Sequence, residues 1–340
     1  MESKLASEFP GRKMSFVAIS QRFLPSRPTG SRRFGTVLPA VALAACAAGV
    51  AAGQSGWERH TALSDPRTEV AAAIARGTIV AVGGFESSGS NSARADAYSV
   101  AEDRWTRLPD LPVAVDHAAA ASANGRVYVL GGYARDRRPL TTVFVLEAGA
   151  WRALAPMPDG RAAAAAAVSR GVLYVVGGID GRGALAQVAF GLNLATGRWS
   201  RLPGPTPREH LAAAATGGQI YALAGRRSGA GNFSLLEVYR PATRKWVRLP
   251  PVPKARGGTG AAAVSGRIVS VGGEEAAGTI ASVYAYTPGT RRWQRLADLA
   301  TPRHGLGVVA YRDRVYAVAG GPQPGLTTSG AVESLLIPKG

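Results

Sequence analysis

The six tryptophans of this chain fall on a fixed interval, and that interval constrains the fold more than any other feature. Trp57, Trp105, Trp151, Trp199, Trp246 and Trp293 stand 48, 46, 48, 47 and 47 residues apart. A second marker keeps step: Gly83-Gly84, Gly131-Gly132, Gly177-Gly178, Ala224-Gly225, Gly272-Gly273 and Ala319-Gly320 each begin 25 or 26 residues after a tryptophan. Sixteen residues before each doublet stands Arg67, Val115, Arg161, Arg208, Arg256 or Arg303. A period of this length, repeated six times, means that each unit is one supersecondary element whose exposed face is covered by its neighbours. The units fill residues 54–340 and leave no room for a second domain.

Each unit reads as four strands. A small-residue run such as Ala71-Ala72-Ala73 or Ala162 to Ala167 leads into a turn, with Asn124-Gly125 as a hairpin signal. A β-rich run then ends at the doublet, for example Thr78 to Val82, Arg126 to Leu130 and Val172 to Val176. After a variable loop comes a third strand, marked seven residues before the next tryptophan by Tyr98, Phe144, Leu192, Tyr239 or Tyr286. The tryptophan strand closes the unit. Helical periodicity is absent, so the alanine run at 162–167 is read as an inner strand in register with its counterparts.

A hydrophobic strand, a Gly-Gly doublet, a spaced Tyr and a spaced Trp together resemble the kelch repeat over residues 57–340. The resemblance implies an all-β fold, a six-bladed propeller with four-stranded blades. The doublet glycines would serve where a side chain clashes or positive φ is required, and the tryptophan would pack between blades. The last unit has no tryptophan after Ala319-Gly320, only a strand-like run from Val332 to Ile337. The Trp57 strand is therefore expected to complete the last blade and lock the ring.

Residues 1–53 read as an export signal. Arg32 and Arg33 precede a charge-free stretch, Phe34 to Gly56, rich in Ala, Val and Leu. Within it Leu43-Ala44-Ala45-Cys46 resembles a bacterial lipobox, which would diacylate the chain's sole cysteine; cleavage after Ala52 is the alternative. Ser31-Arg32-Arg33-Phe34 also resembles a partial twin-arginine signal, and Met14 is an alternative start. The expected location is periplasmic or at the cell surface, with membrane contact only through the lipid anchor.

The net charge of +18 is spread along the chain without a dense basic stripe or interleaved aromatics, which argues against nucleic acid as a partner. Five arginines, Arg67, Arg161, Arg208, Arg256 and Arg303, share one position in five of six blades and should form a ring about the axis. Their donor forks suit carboxylates and sulfates, hence an acidic sugar or peptide, while inter-blade bridging is the structural alternative. Two residues further on stand Glu69, His117 and His210, with Ala163, Gly258 and Gly305 leaving space between them. They are candidates for an acid/base set or a partial metal site, against plain hydrogen-bonded pore lining. Glu209 and His304 are expected to be inter-blade partners.

Galactose oxidase, an enzymatic member of the resembled family, needs a thioether-linked cysteine, and the only cysteine here lies in the export segment. No cofactor and no metal are assigned from the sequence. The expected function is a monomeric binding module for a protein or acidic carbohydrate at the channel mouth. The alternative is a non-redox sugar enzyme such as a sialic-acid-type mutarotase, which a polar funnel holding both histidines and a carboxylate would favour.

Overall fold

The computed structural model describes residues 56–338, all of whose regular elements are strands. Residues 1–55, with the expected export signal and Cys46, lie outside the described residues. Six antiparallel four-stranded sheets form the blades of a propeller. In the first, the inner strand Ala71–Ala75, the second Thr78–Val82, the third Ala95–Ser99 and the outer Arg104–Arg107 follow chain order. The next four blades repeat this order. In the sixth, Gly307–Tyr311, Arg314–Val318 and Val332–Leu336 are completed by Trp57–His60, with Trp57 opposite Leu335 and His60 opposite Val332. The N-terminal strand thus closes the ring as the tryptophan count requires.

The alanines of the inner strands have a packing reason. Inner strands of successive blades crowd around the axis, where only small side chains fit, and the second strands carry the larger aliphatics into the cores between blades. All six indoles perform one task. Each donates its Nε1–H to a carbonyl in the segment leaving the preceding blade: Trp105 to Thr61, Trp151 to Pro109, Trp199 to Ala155, Trp246 to Pro203 and Trp293 to Pro250, at 2.8–3.0 Å. Trp57 makes the same bond, 3.0 Å to Ala297 O, across the point where the chain closes on itself.

The doublets join blades through the main chain. The second residue of each donates its N–H to the carbonyl of the next blade's arginine position, from Gly84 to Val115 O through Gly320 to Arg67 O, at 2.8–2.9 Å. The first residue must be small as well as left-handed. Gly83 has φ 64°, and a Cβ there would stand 2.6 Å from Val115 O. Ala224 and Ala319 take the same conformation at φ 55° and 56° with a methyl group accommodated.

Phe144 lies on the third strand as expected, but the register of that blade differs from the others. Opposite Trp151 stands Leu146, not Phe144, because the third and outer strands of that blade are joined by the two-residue turn Ala148-Gly149, both residues at positive φ. The shorter hairpin accounts for the 46-residue interval and moves Phe144 to a different position on the strand.

Deleting residues 56–60 removes the outer strand of the sixth blade together with its indole latch. The thermal midpoint should fall sharply, and a truncated protein melting with the parent would contradict closure by this strand.

Candidate functional site

The five repeated arginines do not face the axis. Each guanidinium is buried inside its own blade, and Arg67, Arg208, Arg256 and Arg303 have no exposure at all. Four of them donate to the carbonyl of the doublet's first residue, which explains the constant sixteen-residue spacing: Arg67 to Gly83 O at 3.0 Å, Arg208 to Ala224 O at 2.6 Å, Arg256 to Gly272 O at 3.0 Å and Arg303 to Ala319 O at 2.7 Å. Their other nitrogens meet one position on the third strand. In the first, fourth and sixth blades that position is a carboxylate, and Arg67–Asp96, Arg208–Glu237 and Arg303–Glu333 pair at 2.5–2.6 Å. In the third and fifth blades it is aromatic, and the guanidinium lies over the ring, Arg161 over Phe190 at 4.5 Å and Arg256 over Tyr284 at 5.4 Å. Arg161 takes Asp159 as its carboxylate instead, at 3.0 Å. The second blade drops both charges together, with Val115 and Phe144 in one apolar cluster. The expected open ring of anion-binding forks is therefore corrected to a set of internal struts, because carbonyls and third-strand partners in each blade consume the donors.

The residues two positions on from the arginines do converge. Glu69, His117, Ala163, His210, Gly258 and Gly305 all adopt the left-handed conformation, φ 49–60°, and link blade to blade by main-chain bonds. His117 N donates to Glu69 O, Ala163 N to His117 O, His210 N to Ala163 O, Gly258 N to His210 O and Gly305 N to Gly258 O, at 2.9–3.1 Å; Val70 N closes the circle on Gly305 O at 3.2 Å. The left-handed turn costs a non-glycine residue of order 1 kcal/mol, and the hydrogen-bonded circle holds it. Three side chains of this circle are polar, and their ligand atoms all lie within 4.8 Å of one another.

His117 Nδ1 is held by Asp116, and Asp116 also receives Arg137 Nη1 at 2.9 Å. His210 Nδ1 stands 3.1 Å from Glu209 Oε2, outside good hydrogen-bond alignment. The rings are thereby turned so that the two Nε2 atoms face each other at 2.9 Å, with Glu69 Oε2 3.4 Å from that of His117. Arg226 Nη2 lies 3.0 Å from His210 Nε2, and its Nη1 reaches Glu274 at 2.5 Å. His304 Nδ1 stands 3.3 Å from Glu69 Oε1 and 3.6 Å from Glu274 Oε2, so it bridges the sixth blade to the first and fifth. A Cβ on Gly305 would come within 2.6 Å of Glu69 Oε1, so this glycine leaves the carboxylate its place.

The electrostatics follow from burial and these neighbours. Burial raises the Glu69 carboxyl, but His117, His304 and His210 outweigh it and hold the group well below the usual carboxylate range. Burial lowers His210 despite Glu209 beside it, whereas for His304 the contact with Glu69 overcomes burial and raises it. The cluster caps a channel cavity of about 170 Å³ lined mainly by the inner strands.

Sequence reasoning missed the residues directly after the doublets: Phe85, Tyr133, Arg226 and Glu274 all stand at that one position and all reach the mouth. Counting one residue past each doublet would have found them. Arg137 stacks over Tyr133 at 4.0 Å and Phe85 at 5.7 Å. Beside this stack lies a groove of about 460 Å³ lined by Tyr133, Arg137, Pro139, Leu185, Glu209 and Arg227, among others.

Comparison with known proteins places this geometry in context. Residues 117–321 match the model of the KLHDC2/KLHL20/DRC7 Kelch-repeats domain, and residues 66–112 match the Kelch motif. The F-box/kelch-repeat protein SKIP30 of Arabidopsis thaliana is 32% identical over 96 residues, 28% of this chain and 26% of that protein. Kelch domain-containing protein 8B of Rattus norvegicus is 29% identical over 91 residues, 27% of this chain and 26% of that protein. The chain thus spans about a quarter of the length of these curated relatives.

The struts predict unequal costs. Arg303→Ala strands Glu333, which is 1% exposed, without its cation, and should lose about 3–5 kcal/mol. Arg256 faces Ser282 and carbonyls, and burial pushes its guanidinium down to about 10, so Arg256→Ala should cost less, about 1–3 kcal/mol. Denaturant unfolding measures both, and equal losses would contradict the pairing scheme.

Proposed function

The chain belongs to the kelch-repeat family, and from that premise we propose that it is an exported protein-interaction module whose mouth groove holds an acidic peptide segment. The observation that carries this reading is the groove itself. The arginines that remain available are those of the loops, the half-exposed Arg137 on its aromatic stack and the exposed Arg227, beside Tyr133, Pro139 and Leu185. A rigid aromatic and arginine surface with apolar flanks is the composition that anchors protein partners. The anionic character expected of the ligand is retained, and its contacts move from the repeated arginines to the loops.

A carbohydrate acid is the competing ligand, and a mutarotase-type sugar enzyme the competing function. Both imidazoles and a carboxylate meet at the mouth, which favours chemistry there. The cavity beneath them, about 170 Å³, is smaller than the roughly 300–1,000 Å³ of ordinary small-ligand sites and weighs toward binding on the face.

Screening the full chain against acidic peptides and acidic glycans tests the assignment. Peptides should bind, and Arg137→Ala and Arg227→Ala should each weaken binding about tenfold or more, the equivalent of about 1.4 kcal/mol. Arg256→Ala should leave affinity per folded molecule unchanged. Binding of glycans alone, or indifference to both loop substitutions, would overturn it.

Export and lipid anchoring at Cys46 belong to the same proposal and rest on the segment from Arg32 to Ala52. Two acyl chains give stable membrane attachment where one gives only marginal binding. A metabolic fatty-acid label should mark the wild type and spare Cys46→Ser. Unlabelled wild type would favour cleavage after Ala52 and a soluble product.

A further inference from the structure

We propose that Glu69, His117 and His210 bind a divalent transition-metal ion of the zinc class at the mouth of the channel. The inference does not rest on the peptide groove, although Arg137 and Glu209 border both, and it departs from the sequence-based expectation of no metal.

The orientation of the two imidazoles carries the argument. Each turns its Nδ1 toward a carboxylate of its own blade, His117 toward Asp116 and His210 toward Glu209 at 3.1 Å. A ring whose Nδ1–H donates a hydrogen bond to such a carboxylate, as that of His117 does to Asp116, presents Nε2 as a lone pair, the arrangement by which proteins fix metal-ligating histidines; His210 points its Nδ1 the same way without a well-aligned bond. The two Nε2 atoms then confront each other at 2.9 Å, with Glu69 Oε2 3.4 Å from the first. With both Nε2 atoms unprotonated the acceptors at this point repel, and the guanidinium of Arg226 meets only the His210 nitrogen. Two imidazole nitrogens bound at about 2.0–2.1 Å to a tetrahedral ion are about 3.3 Å apart, so the two rings part by a few tenths of an ångström to admit it.

The surrounding charge agrees. Glu69, Asp116, Glu209 and Glu274 are four carboxylates in one connected cluster with two guanidiniums, Arg137 and Arg226. With His117 and His210 neutral the cluster keeps a net negative charge even when His304, which bridges Glu69 and Glu274, is protonated, and a cation is drawn to it. Arg226 reaches His210 Nε2 at 3.0 Å but makes no such contact with His117, so it satisfies only one of the facing nitrogens. The donor set selects the ion: two imidazoles with one carboxylate suit zinc and its first-row neighbours, whereas calcium and magnesium prefer oxygen alone. Three protein ligands leave coordination positions for water or a ligand side chain.

The support is rigid. Ligands come from the first, second and fourth blades, and the main-chain circle links Glu69 directly to His117 and, through Ala163, to His210. His304, 3.3 Å from Glu69 Oε1, occupies one carboxylate oxygen and leaves the other toward His117.

The test is calorimetric titration of the full chain, without an affinity tag and freed of metal by chelation, with Zn²⁺. One ion should bind per chain, and His117→Ala or His210→Ala should weaken binding at least about 100-fold, with Asp116→Asn weakening it about 10–100-fold. Cys46→Ser and His60→Ala should bind as the wild type does. Where an alanine variant fails to fold, Cu²⁺ bound to the wild type is examined by pulsed electron paramagnetic resonance, and two coordinated imidazoles are expected. No binding of Zn²⁺, binding indifferent to both histidines, or fewer than two imidazoles on copper would overturn the proposal.

Discussion

The structure depends on closing a circle with main-chain hydrogen bonds. Two concentric sets do so: one runs between the left-handed residues that open the inner strands, the other from each doublet to the next blade's arginine carbonyl. Buried backbone groups must be paired, and where the blades meet the neighbouring blade supplies the partner. That requirement dictates the glycines, the left-handed turns and the small inner-strand residues together. The indole latches add a third, outer circle, which Trp57 completes across the termini of the propeller.

Within this frame, regular residues are architecture and irregular ones are chemistry. The repeated arginines fill one internal niche, and the third strand changes to suit them: carboxylate where the guanidinium wants a counter-ion, aromatic ring where it stacks, and phenylalanine where valine replaces it. Such coordinated change across the blades of one chain is what a buried, desolvated cation demands. The circle one step inward is different. Its six equivalent residues are alike in backbone and unlike in side chain, and the polar ones gather on one arc of the mouth.

The ring was legible in the sequence because one tryptophan and one doublet per blade are fixed by contacts that every blade shares. Closure by the first strand followed from counting tryptophans against doublets. The direction of the arginines was not legible, since the spacing of sixteen residues records a contact with the doublet carbonyl that sequence alone does not reveal. Phe144 was rightly placed on the third strand, but its pairing was not legible, because a turn two residues shorter sets Leu146 opposite Trp151. Glu69, His117 and His210 were found as a set because position in the repeat brings them together. Their partners were not: Arg226 and Glu274 share the position after the doublet but differ in residue type from blade to blade, and Arg137 sits on a variable loop whose course the repeat does not fix.

Native-state hydrogen exchange measures the central claim, that the blades are held as one closed unit. If the main-chain circles join all six, the amides of His117, Ala163, His210, Gly258 and Gly305 and of the doublets Gly84 through Gly320 exchange only through global opening, with one common free energy. The amides that pair the Trp57 strand with the last blade should share it. Exchange of individual blades at separate, lower free energies, with the remaining circle intact, would contradict the account.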